Sequence, residues 1–109
     1  MKIQNSPWGR VQKQQEILPG IIVVHTAGHG GIWLSPERQA QLPAWALEIS
    51  SSYCPKPMWW EEDCESQVIM YVFFEEIEKR HGAFPGFLSK EKLGAYIQQF
   101  GYLNFPQAA

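Results

Sequence analysis

The feature that most constrains this chain is the apolar run of residues 68–74, which lies inside residues 59–82 and has acids on both sides. A run of this length could form a buried strand, and a strand stays the alternative. The flanks favour a helix, because acids stand at its start and the basic sequence KRHG at its end. We therefore predict one helix of about six turns. Its main buried stripe is predicted to be Met70, Phe73, Phe74 and Ile77, and its ion pairs Glu75–Lys79 and Glu76–Arg80.

The first third of the chain predicts three antiparallel strands. Residues 9–18 suit an exposed strand with one thin apolar face. Residues 19–20 (PG) form a turn dipeptide, because proline fixes φ at its first position and glycine allows positive φ at the second. Residues 21–24 (IIVV) are all β-branched and predict a central strand that is apolar on both faces. Residues 27–31 (AGHGG) reverse the chain, and residues 32–34 return as a third strand.

Helix starts follow the predicted sheet. Ser35 is a good N-cap and Pro36 suits the first helical position, while Pro43 keeps that helix short or kinked. Ser89 caps a last helix. Its apolar positions are Leu93, Tyr96, Ile97 and Phe100. The predicted fold class is α+β: a three-stranded antiparallel β-meander followed by three helices packed on one sheet face, in a single domain of residues 1–109.

Charge and composition argue against several classes of protein. The 109 residues carry a formal net charge of −2, and basic side chains are not interleaved with aromatic ones, so direct nucleic-acid binding is not expected. The N-terminus lacks the apolar run of a signal peptide, so none is expected. No segment approaches the ~20 apolar residues of a membrane span. We therefore expect a cytoplasmic protein that makes no membrane contact, with both of its cysteines as reduced thiols.

His29 is the first candidate for chemistry. It lies between Gly28 and Gly30 in a predicted hairpin loop, where its imidazole is reachable and the backbone can approach a ligand. The plainer interpretation is that the loop needs glycines at positive φ and that His29 has no role. His25 is expected to be a hydrogen-bonded residue at the end of the central strand, because a His-x-x-x-His spacing ligates a metal only on a helix.

Acidic residues surround Cys64 at the predicted front of the central helix. The plainer interpretation is that carboxylates in a first helical turn complement the helix dipole. A sharper hypothesis brings this turn against the His29 loop, so that His29, Glu62 and Asp63 would bind a divalent metal or carry out acid–base catalysis. A nucleophile pair of Cys64 and His29 is a further variant, although the surrounding acids disfavour a thiolate.

The acidic segment is also a candidate docking surface. Seven of the eleven acids lie between residues 61 and 78. Tryptophan is a frequent anchor at protein interfaces, and the chain has five. A partner with a basic surface would fit, including a protein that itself binds nucleic acid. The predicted binding residues are Glu61, Glu62, Asp63, Glu65, Trp59 and Trp60.

Two motifs taken together resemble a known family. They are TAGHGGIxLSPE at residues 26–37 and EEDCE at residues 61–65, with SPWG at residues 6–9. The set is similar to a family of small, uncharacterised domains found in bacteriophages, plasmids and their bacterial hosts. The resemblance implies an accessory protein of mobile elements, and it transfers no catalytic residue.

Two functions are expected on these grounds. The first is a non-enzymatic module without a cofactor, which binds a host protein or protein complex as a monomer or homodimer. It would inhibit host defence machinery, in the manner of anti-CRISPR or anti-restriction proteins. The alternative is a small hydrolase that uses His29 with Glu62 or Asp63. Its mechanism would be either acid–base catalysis or catalysis assisted by a divalent metal. The acidic segment and the resemblance favour the first.

Overall fold

An antiparallel sheet of four strands forms the centre of the fold. The structure is a computed structural model that describes residues 1–49, 57–63, 65–83 and 89–99. A hairpin of β1 (Asn5–Ser6) and β2 (Gly9–Arg10) precedes the sheet. The sheet consists of β3 (Lys13–Leu18), β4 (Ile21–His25), β5 (Gly30–Leu34) and β6 (Trp59–Glu61), each paired with the next. The helices within the described residues are α1 (Pro36–Gln39), α2 (Ala44–Leu47), α3 (Glu65–Val72), α4 (Phe74–His81) and α5 (Lys90–Gln98).

The predicted α+β class and the antiparallel meander are confirmed, and the sheet has one strand more than predicted. Gly20 has a φ of 82° in the turn between β3 and β4, as its place after Pro19 indicates. The extra strand, β6, pairs with β5 so that Trp59 lies opposite Trp33. Sequence analysis places these residues at the front of the central helix. Three residues are too few to show the alternation of a strand, so only the tertiary pairing identifies them.

The helices cover one face of the sheet, as predicted, but the described residues contain five helices where three are predicted. This first core is built from strand residues and from α3, α4 and α5. Its fully buried members include Ile21, Leu34, Trp60, Val68, Ile69 and Ile97. The indole of Trp60 has no exposed surface, and its Nε1–H donates to the carbonyl oxygen of Pro57 at 2.8 Å. Each large side chain buried in this way stabilises the fold by about 1.5–3 kcal/mol.

The opposite face of the sheet is covered by the N-terminal segment. The second core consists of Ile3, Ile22, Val24 and Trp59, with Trp8, Val11 and Trp33 packed against it. Trp8 meets Trp59 edge to face, with ring centroids 5.5 Å apart and planes at 89°. The sequence gives no periodic signal for this cover, because Ile3 and Trp8 are isolated apolar residues in a polar stretch.

The central segment is helical, as predicted, but it forms two helices instead of one of six turns. Phe73 separates α3 from α4 with φ −105° and ψ 20°. The bond from the Phe73 N–H to the Ile69 carbonyl, at 3.1 Å, keeps the chain continuous across the bend. A straight helix turns adjacent side chains about 100° apart. The bend lets the neighbours Phe73 and Phe74 both reach buried positions.

Both carboxylates of the ion pairs predicted within the central helix bind cations of other helices. Glu75 accepts from Lys90 Nζ of α5 at 2.9 Å. Glu76 holds Arg38 of α1 through two parallel hydrogen bonds, of 2.9 and 2.6 Å. Sequence spacing reveals pairs one turn apart, but it carries no information on pairs between elements.

Arg38 joins three parts of the fold and is only 7% exposed. Besides Glu76, its Nε–H donates to the Pro19 carbonyl oxygen at 2.7 Å, and Nη1 donates to Gln41 at 3.0 Å. The guanidinium also lies over the Phe73 ring, 5.2 Å from its centroid. One side chain therefore ties the β3–β4 turn, α1 and the α3–α4 bend together.

Helix caps form where they are predicted, and one apolar position of the last helix is not buried. The Ser35 hydroxyl accepts from the Arg38 N–H at 3.2 Å, and the Ser89 hydroxyl accepts from the Lys92 N–H at 3.1 Å. In α5 Leu93 and Ile97 are buried, whereas Tyr96 is 43% exposed. The predicted fourth position, Phe100, lies outside the described residues. No helix in the described ranges has the length and apolar character needed to cross a bilayer.

Replacement of Gly31 by alanine tests the packing of the second core. A Cβ at Gly31 would overlap Trp8 Cη2 and the Trp60 carbonyl oxygen, while a Cβ at Gly28 would meet nothing within 4 Å. We expect Gly31→Ala to lower the free energy of unfolding by about 1–3 kcal/mol, because one of these contacts is with backbone. Gly28→Ala, the matched control, should lose no stability. Equal urea midpoints for the two variants would contradict this packing.

The Arg38–Glu76 pair predicts a dependence of stability on pH. The hydrogen bonds from Arg38 lower the pKa of Glu76 below its ordinary value. Such a carboxylate stabilises the fold above its unfolded pKa of about 4.3, and the contribution is lost as pH falls through the folded pKa. Glu76→Gln should therefore be less stable than the parent at neutral pH, with a gap that closes in acid. Urea unfolding from pH 7 to pH 3 measures this, with the exposed Glu78→Gln as a control that should show no such gap.

Candidate functional site at the loop end of the sheet

The loop end of the sheet brings the end of β4, the start of β5 and the end of β6 together. His25 is paired with Gly30, and Gly31 with Glu61. One step further, the Glu62 N–H donates to the Gly30 carbonyl oxygen at 3.0 Å. The acidic turn therefore lies against the glycine-rich loop, as the sharper of the two sequence hypotheses requires.

The loop between β4 and β5 is closed by Thr26. Its N–H and hydroxyl donate to the His29 carbonyl oxygen at 2.8 and 2.7 Å, and the His29 N–H donates back to the hydroxyl at 3.1 Å. Gly28, Gly30 and Gly31 all have φ values outside the positive range. The expectation that positive φ explains these glycines is therefore wrong. Thr26 makes the reversal without it.

Two of the three glycines are explained by close approach instead. The indole of Trp8 lies directly over Gly31, where a side chain would overlap it. A Cβ at Gly30 would lie 2.7 Å from the Val24 carbonyl oxygen, 3.0 Å from Glu62 Oε2 and 3.6 Å from His25 Nδ1. Glycine is thus required where neighbouring groups occupy or border the space of a side chain.

The acidic turn is held in place by its own side chains. Glu65 Oε1 accepts from the Glu61 N–H at 3.0 Å, and Glu61 Oε1 accepts from the Asp63 N–H at 3.0 Å. The Ser66 hydroxyl donates to the Glu62 carbonyl oxygen at 2.7 Å. Carboxylates at a helix start that accept from backbone N–H groups order the turn, as in a capping box. The carboxylates are therefore presented in a defined arrangement.

Electrostatic repulsion within the turn is visible at Glu61. Burial raises the pKa of the Glu61 carboxyl, and the neighbouring carboxylates of Asp63 and Glu65 raise it further. Glu62 and Asp63 themselves are exposed. In the ranges that the structure describes, no lysine or arginine forms a salt bridge with Glu62 or Asp63. Their negative charge is therefore directed to solvent.

The predicted site residues differ in exposure and in position. His29, Glu62 and Asp63 are exposed at the loop end, and Glu61 is half-buried beside them. Glu65 is buried and serves the turn internally. Trp59 and Trp60 are 8% and 0% exposed and belong to the two cores, so neither side chain can anchor a partner on this surface. Cys64 lies outside the described residues.

His25 lies near Glu62, although the sequence predicts for it only a structural place at a strand end. Its side chain is exposed, and its Nδ1 and Glu62 Oε2 both lie within 4 Å of the point that a Cβ at Gly30 would occupy. The signal that could have found it is register, since a strand end paired with Gly30 must lie beside whatever follows β6. Among the described residues, no group of three or more His, Cys, Asp and Glu side chains is arranged to hold a metal ion.

Fold and site together define a small α+β domain with an ordered acidic turn at one end of its sheet. The chain belongs to the family described as a domain of unknown function, DUF7007, whose model matches residues 1–95. The expectation of an uncharacterised small domain family is confirmed to that extent. No curated protein and no solved structure matches the chain.

Thr26→Val tests the hydrogen bonds that close the loop. It removes a hydroxyl that both donates to and accepts from His29 while preserving the β-branched shape. We expect a loss of about 1 kcal/mol in the free energy of unfolding, together with faster amide exchange at His29. Thr26→Ser keeps the hydroxyl and should preserve that protection. If valine left the His29 amide as protected as serine does, the loop would not depend on these bonds.

Proposed function

We propose that this chain is a protein-binding accessory domain of a mobile element, which docks on a basic surface of a host protein through the acidic turn of residues 61–63. Inhibition of host defence machinery, of the anti-CRISPR or anti-restriction kind, is the biological role we attach to it. The observation that carries the proposal is the division of the acidic segment into carboxylates used internally and carboxylates that form no ion pair within the described residues.

The internal carboxylates support the fold. Glu76 is neutralised by Arg38, Glu75 by Lys90, and Glu65 is buried in the turn. Glu62 and Asp63 form no such pair within the described part of the chain and stay exposed. Carboxylates without a structural task, grouped and held in one geometry, favour a cationic partner, because little side-chain freedom is lost on binding.

The position of the turn supports docking by contacts other than charge. It projects from the end of the sheet, next to the exposed loop that carries His29. Loops at the end of a rigid sheet are a frequent place for binding residues. Because Trp59 and Trp60 are buried, the proposal rests on the carboxylates, and their electrostatic attraction should weaken as salt is added.

A second candidate is acid–base or metal-assisted hydrolysis by His29 with Glu62 or Asp63. One observation favours it: the hydrogen bond from the Glu62 N–H to the Gly30 carbonyl joins the acidic turn to the loop that carries His29. The exposed setting of all three side chains favours it less, because catalytic carboxylates and imidazoles are usually tuned by burial.

The double variant Glu62→Gln/Asp63→Asn tests docking. With the parent chain as bait in a bacterial lysate, we expect a specific partner whose recovery falls as salt rises. The double variant should recover it about three- to tenfold less well, since each exposed ion pair contributes about 0.2–1 kcal/mol. The measurement is quantitative mass spectrometry of the captured proteins at two salt concentrations.

A matched control separates the acidic turn from net charge. Glu78→Gln/Glu91→Gln also removes two negative charges, but from exposed positions on α4 and α5. It should capture the partner as well as the parent does. Equal losses for the two double variants would contradict docking through the turn, as would a parent chain that captures no specific protein.

A further inference from the structure

The space over Gly30 is bordered by electron-pair donors. The three atoms nearest to where its Cβ would lie are the Val24 carbonyl oxygen, Glu62 Oε2 and His25 Nδ1, at 2.7, 3.0 and 3.6 Å. Carboxylate and carbonyl oxygens accept, and Nδ1 does so in one tautomer of the neutral ring. Acceptors from β4 and from the turn after β6 therefore converge on the position of this missing side chain, which is called the notch below.

We propose that His25 and Glu62, facing each other across Gly30, bind a divalent transition-metal ion of the zinc type. An imidazole nitrogen combined with a carboxylate oxygen is a ligand set that such ions prefer. The inference goes beyond the docking function and does not depend on it. It also moves the imidazole of the metal hypothesis from His29 to His25.

The geometry permits a shared ion. Both ligand atoms border one point, so they cannot be farther apart than the sum of their two distances from it. Rotation of these two exposed side chains would bring each ligand atom to a bond of about 2.0–2.2 Å from one ion. Because His25 and Glu62 are exposed, water can complete the coordination shell.

A basic residue, Lys13, lies opposite His25 on β3, and it forms no salt bridge with Glu62 within the described residues. The site has two side-chain ligands, fewer than the three or four of most zinc sites. Its affinity should accordingly be lower than that of a structural zinc centre.

Titration of untagged protein with Co²⁺, followed by visible absorption, tests the site. We expect saturable binding of one ion, with a spectrum typical of nitrogen and oxygen ligands, and displacement by Zn²⁺. His25→Ala and Glu62→Gln should each weaken the apparent affinity by about tenfold or more, because each removes a direct ligand. Both side chains are exposed, and thermal unfolding in the absence of metal verifies that the variants remain folded.

His29→Ala and Asp63→Asn are the matched controls, since they remove the other imidazole and the other exposed carboxylate of the same end of the sheet. Both should bind Co²⁺ within about twofold of the parent chain. A loss in His29→Ala as large as in His25→Ala would overturn the assignment. So would the absence of saturable binding, or a thiolate-to-cobalt absorption band, which would assign the ion to a cysteine.

Discussion

The central strands are apolar on both faces, and the rest of the structure depends on this constraint. Helices shield one face, but a sheet shielded on one face alone would leave Ile22, Val24 and Trp59 in water, at a cost of about 1.5–3 kcal/mol for each large side chain. The first ten residues supply the missing cover through Ile3 and Trp8. The polar N-terminal hairpin is therefore part of the folded domain. Its removal should uncover a core.

Sequence reasoning succeeds where one or two residues decide a local structure. The turn after Pro19 and the caps at Ser35 and Ser89 form as predicted, because each depends on a dihedral preference or a single hydroxyl. It fails where a distant partner decides. Strand β6 is defined by its pairing with β5, and the bend at Phe73 lies where two adjacent aromatic side chains are both buried. Neither the pairing nor the packing is visible in a local window of sequence.

The candidate site divides along the same line. The contact between the acidic turn and the glycine-rich loop is available from sequence only as a hypothesis, because strand β6, which brings the turn to this end of the sheet, is not recognised. The choice of histidine does not follow from sequence. His25 ends a strand, and the face of its side chain follows only once its pairing with Gly30 is known. The role of the loop glycines is also predicted wrongly from sequence. Glycine can be required either because a side chain would not fit or because φ is positive, and the sequence does not distinguish the two reasons.

Gly30 and Gly31 are neighbours in the chain, yet their side-chain positions lie on opposite faces of the sheet. One position is filled by the indole of Trp8, and the other is bordered by His25, Glu62 and the Val24 carbonyl oxygen. The two glycines are therefore constrained by different neighbours. Across the family, the residue at Gly31 should vary in concert with the residue at Trp8, whereas the residue at Gly30 should vary with the pair at the notch. An alignment of the family would then show separately which members retain the second core and which retain the site.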